Sequence, residues 1–70
     1  YVVYPNPTTD QITINATVDV KKTTLIDLNG KVLLNGSSKT LNIQNLPAST
    51  YILNIEFANG VKTTEKIVKN

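Results

Sequence analysis

Three serines, Ser37, Ser38 and Ser49, and five carboxylates, Asp10, Asp19, Asp27, Glu56 and Glu65, are the side chains that could supply a nucleophile or a general base. Catalysis of that kind needs a base held beside the nucleophile. The chain has no histidine, cysteine or arginine, and none of the serines has such a partner nearby in the sequence. No enzyme activity is expected, and no cofactor. Asp10, Asp19 and Asp27 are too dispersed for the dense oxygen cage of a calcium loop, so no metal site is expected either. Asp27, just before Asn29-Gly30, reads instead as a side chain that stabilises a turn.

Seven lysines set a net charge of +2, and they are spread along the chain. Without arginine or a row of aromatic rings, they make neither a reader of base edges nor a stacking platform, so nucleic acid is not an expected partner. Scattered lysines of this kind form a solvated surface. No apolar run approaches the ~20 residues that a membrane-spanning helix requires. With no cysteine there is no disulfide staple, and stability must come from packing.

Seventy residues make one domain, and one of this size buries only about 60% of the surface its unfolded chain exposes. Tryptophan and methionine are absent, and the aromatic side chains are Tyr1, Tyr4, Tyr51 and Phe57, so the core must be built from Ile, Leu and Val. The lack of any methionine leads to the expectation that residues 1–70 form a single domain excised from a longer protein.

All three glycines, Gly30, Gly36 and Gly60, follow an asparagine. Asn-Gly is the strongest short hairpin signal, and its two-residue type I′ form needs positive φ at both central positions. Residues 23–28 and 31–35 flank the first such pair, and residues 51–57 and 61–69 flank the third. Each segment is rich in Val, Ile, Leu, Thr or Tyr, as strands are. The run Asn35-Gly36-Ser37-Ser38 leads to a short strand near residues 40–43. Residues 11–15 alternate like a strand, and residues 2–4 make an edge piece.

Tyr51, Leu53, Ile55 and Phe57 alternate with Asn54 and Glu56, which predicts one buried and one wetter face. Ile12 with Ile14, and Leu41 with Ile43, predict the same. Residues 24–28 do not reveal their buried side, because Leu25 points opposite to Ile26 and Leu28. No segment keeps the apolar spacing of a helix. The fold class is therefore all-β, a small antiparallel β-sandwich of immunoglobulin-like character with about seven short strands.

Four motifs remain: Tyr4-Pro5-Asn6-Pro7, Asp27-Leu28-Asn29-Gly30-Lys31, Leu46-Pro47-Ala48-Ser49-Thr50-Tyr51, and Lys66-Ile67-Val68-Lys69. In this order they resemble the C-terminal sorting domain of proteins exported by the type IX secretion system of Bacteroidota, type A. The resemblance runs from Tyr4 to Lys69. It implies a signal that carries an upstream cargo across the outer membrane to the medium or the cell surface, where a sortase often removes it and attaches the cargo. The implied partners are the type IX machinery, including outer-membrane shuttle and sortase components, with a homodimer through a strand edge as a further option.

Carried onto this chain, the candidate recognition residues are Pro5, Asn6 and Pro7, then Gly30 and Lys31, and finally Lys66, Ile67, Val68 and Lys69. The prolines fix φ and remove backbone donors, which gives a stiff approach to the domain. Pro47 blocks a ladder hydrogen bond, so residues 46–48 should cross between strands with Leu46 tucked inward. Family members often carry glycine where Ser49 stands, and a positive φ there would cost on the order of 1 kcal/mol relative to Gly, which favours another loop form. The last strand offers an edge or a lysine-bearing surface to a receptor. The rival reading is a β-sandwich module for carbohydrate binding, adhesion or spacing, whose mark would be aromatic rings displayed together in solvent.

Overall fold

A computed structural model describes residues 1–5 and 10–70, so Asn6 and Pro7 lie outside the described residues. The described chain contains seven strands: β1 (Val2–Tyr4), β2 (Gln11–Asn15), β3 (Val20–Ile26), β4 (Val32–Gly36), β5 (Thr40–Asn42), β6 (Ser49–Phe57) and β7 (Lys62–Lys69). They form two antiparallel sheets, one ordered β1-β2-β5 and one ordered β4-β3-β6-β7. The expected all-β sandwich and its β1 edge strand are both present.

The core lies between the sheets. Ile12, Ile14, Leu41 and Ile43 contribute from the smaller sheet and its flank, while Leu25, Tyr51, Leu53, Ile55, Phe57 and Ile67 contribute from the larger. The alternation along β2 and β6 therefore points as expected. Leu46 packs against this cluster from its loop, and the Tyr51 hydroxyl donates to the Pro47 carbonyl. On β3 the structure decides what the sequence left open: Leu25 is fully buried, Ile26 faces outward, and Leu28 stands exposed on the following turn.

Both hairpins form, but not with the two-residue turn the Asn-Gly pairs suggest. The Asp27 amide donates to the Lys31 carbonyl at 3.0 Å and the Phe57 amide to the Val61 carbonyl at 2.8 Å, so each loop holds three residues. Positive φ is found at Gly30 (86°) and Gly60 (89°) and at no non-glycine residue described, which excludes type I′ at either site. This is the three-residue hairpin loop, in which a single glycine takes the left-handed conformation. Asn35-Gly36 makes no turn. Gly36 ends β4 in register with Thr23, and the chain bends at Ser37. Ser49, with no positive φ, simply opens β6.

Candidate recognition surface

The first turn is held by its own side chain. Asp27 Oδ1 accepts the Asn29 and Lys31 amides, each at 2.9 Å, while the Gly30 amide donates to the Asp27 carbonyl at 3.1 Å. A Cβ built on Gly30 would meet nothing within 4 Å, so the glycine is required for its backbone conformation alone. Lys31 is exposed beside it.

The loop between β5 and β6 is tied from two sides. The Ile43 amide donates to the Asp10 carbonyl at 2.7 Å and the Leu46 amide to the Ile43 carbonyl at 3.0 Å. From the other sheet, the Lys69 ammonium donates to the carbonyls of Leu46 (2.6 Å) and Gln44 (3.3 Å). A lysine at the end of β7 therefore holds the loop that the Leu46-Pro47 motif begins.

Register shows where these pieces meet. Ile26 pairs with Ile52 and Ile52 with Lys66, so the turn after β3, the start of β6 and the end of β7 share one end of the larger sheet. A shallow cleft there has Asp27 and Leu28 on one wall and Leu46, Pro47 and Tyr51 on the other. In the smaller sheet Tyr4 pairs with Thr13 and Gln11 with Asn42, so Pro5 continues β1 toward the same end, where Asp10 meets Ile43. Three motifs spread over the sequence, and the described start of the fourth at Tyr4-Pro5, converge on one pole of the sandwich.

The last motif divides between two faces. Ile67 is fully buried opposite Tyr51 and belongs to the core, and Lys69 shares its inward face. Lys66 and Val68 face outward. At the opposite pole, Tyr1 packs its ring on Phe57 with centroids 5.5 Å apart and donates its hydroxyl to Glu65 at 2.9 Å. Tyr51 and Phe57 are buried, which removes them from any solvent-exposed aromatic platform. Among the described residues no group of three or more acidic side chains is placed to hold a metal ion, and no helix is long and apolar enough to cross a membrane.

Sequence reasoning found the motifs and missed Ile26, Val32 and Ile52. These occupy one cross-strand row on the outer face of the larger sheet, beside Lys66. The signal was the doubly apolar pattern of residues 25–28, which served two faces at once.

What the fold defines is a class: a small two-sheet sandwich whose loops are displayed at its poles. A family model described as the secretion system C-terminal sorting domain matches residues 2–70, and the chain belongs to that family. The family is the C-terminal sorting signal for type IX secretion, which marks proteins for export across the outer membrane to the secreted or cell-surface state. As a family it is a targeting signal and not a catalyst, and it implies an upstream cargo and contact with the secretion machinery. No curated protein matches the sequence.

Proposed function

We propose that the pole formed by residues 27–31, 43–48 and 66–69 is the surface by which the export machinery reads this domain. The observation that carries it is the convergence of the motifs, with Lys69 bonded directly to the Leu46 loop. A cargo joined ahead of Tyr1 would sit at the other pole, beside Phe57, and leave this one open. Residues 1–70 then act as the closing domain of a longer exported protein. Gly30 shapes the turn, Ile67 and Lys69 hold the strand end in place, and Lys31, Lys66 and Val68 face the receptor. Pro5 sets the approach from β1.

The partners in this reading are an outer-membrane shuttle that takes up the folded domain and a sortase that removes it and attaches the cargo at the cell surface. Strand addition is a weaker route than docking on this face. β7 is a long edge, but it turns Glu65 and Lys69 inward, and inward-facing charges blunt an edge against pairing. The same feature weighs against a homodimer through β7. Replacing Lys31 and Lys66 together by glutamine tests the surface. The double variant keeps the melting temperature of the parent within a few degrees, and its export from a type IX host falls severalfold. Normal export of the folded variant would remove these lysines from the recognised surface.

A further inference from the structure

The outer face of the larger sheet is ordered in rows. Asn35, Thr24, Asn54 and Thr64 form a polar row across all four strands, with Thr24 donating to Asn35 Oδ1 at 3.2 Å and Thr64 to Asn54 Oδ1 at 2.9 Å. Lys22, Glu56 and Lys62 make a charged row on one side of it. On the other side, toward the motif-bearing pole, lies the apolar row Val32, Ile26 and Ile52, which ends at Lys66. Val68 sits diagonally beside Ile52. Leu28, on the adjoining turn, is 67% exposed, and Val32 is 49% exposed.

Strand formation does not require this row. Threonine serves equally well as a β-former, and the same strands use Thr and Asn at the next pairs along. Ile26, Ile52 and Val68 are half-buried, on the sheet face away from the core, and lie outside the core cluster and the residues packed against it. A partly exposed apolar patch bounded by polar residues, here with Leu28 and Val32 exposed, is the kind of surface that interaction sites use. Its rim is positive: Lys31 and Lys66 flank it, while the Asp27 carboxylate beside Ile26 is turned to two backbone amides of its own turn. Farther along, Glu56 pairs with Lys21 at 3.7 Å.

We infer that the row Val32–Ile26–Ile52, with Val68 and Leu28, docks a folded protein of the export apparatus that presents apolar side chains bordered by aspartate or glutamate. This deepens the reading above and rests on it. The apolar row supplies the buried centre of the contact and the lysines supply its charged margin, the usual anatomy of such interfaces. Positive charge on this chain selects carboxylates on the partner.

The test fuses residues 1–70 to a fluorescent protein with a periplasmic leader and measures the exported fraction in a type IX host. Ile26→Thr with Ile52→Thr is expected to melt within a few degrees of the parent and to lower export about tenfold or more, as loss of a central contact does. Leu28→Ser, on an exposed turn that packing does not hold, lowers export as well. Asn54→Thr, one row away, exports like the parent. Normal export of both apolar variants overturns the inference, as does equal loss for Asn54→Thr. If the double variant unfolds, Leu28→Ser decides. A parent fusion that stays in the periplasm overturns the sorting role itself, an outcome distinct from normal export of the variants.

Discussion

Leu53→Ala is expected to destabilise the domain by about 3 kcal/mol, within the range for a buried leucine whose site cannot fully collapse. Leu53 is fully buried at the middle of β6, in register with Leu25 on one side and Glu65 on the other, and it faces the smaller sheet. Domains hold roughly 0.05–0.15 kcal/mol of stability per residue, so for 70 residues that loss removes about a third or more of the whole. The variant should unfold at a clearly lower denaturant concentration than the parent. Urea denaturation followed by circular dichroism measures it, with Leu28→Ala as the exposed comparison, expected within about 0.5 kcal/mol of the parent. A Leu53→Ala loss below about 1 kcal/mol would mean that the two sheets do not close on this side chain as described.

The second large effect is expected from Lys69→Gln, at about 2 kcal/mol, since hydrogen bonds from a charged donor contribute more than neutral ones. The Lys69 ammonium bonds the Leu46 and Gln44 carbonyls and so joins the last strand to the loop that leads into β6. Glutamine is one atom shorter and uncharged, and it cannot hold both. Amide exchange should quicken first at Leu46 and across the end of β7, while Leu53 stays protected, because the opening is local. Lys62→Gln, on the exposed start of the same strand, gives the baseline. Equal behaviour of the two variants would show that the tie at Lys69 does not hold the loop.

Particular residues show what a sequence reveals. Asn29-Gly30 and Asn59-Gly60 mark hairpins because glycine is needed there, at φ of 86° for Gly30 and 89° for Gly60. Loop length is not legible from the same pair, since it depends on which flanking residues close the ladder, Asp27 with Lys31 and Phe57 with Val61. Asn35-Gly36 carries the same local signal, yet pairing with Thr23 keeps it in a strand. Asp27 was readable as a turn-stabilising residue because its contacts lie within four positions.

The buried side of β3 was hidden because Leu25 serves the core while Ile26 serves the outer row, so both faces carry apolar residues. Lys69 was legible as a basic end and not as a tie, because its partners lie 23 and 25 residues away. Convergence of the motifs depends on the strand order β4-β3-β6-β7 and on crossings between sheets. No local periodicity encodes that order. The motifs named the family, and the fold explains why they belong together.

The most direct measurement is export of the parent fusion, residues 1–70 behind an inert fluorescent protein with a periplasmic leader, in matched hosts with and without the type IX translocon. A second fusion ending at Asn59, which lacks β7, serves as control. Fluorescence outside the cell that requires both the translocon and β7 is the predicted result. A folded parent fusion that remains in the periplasm of the competent host would contradict the sorting role of this chain.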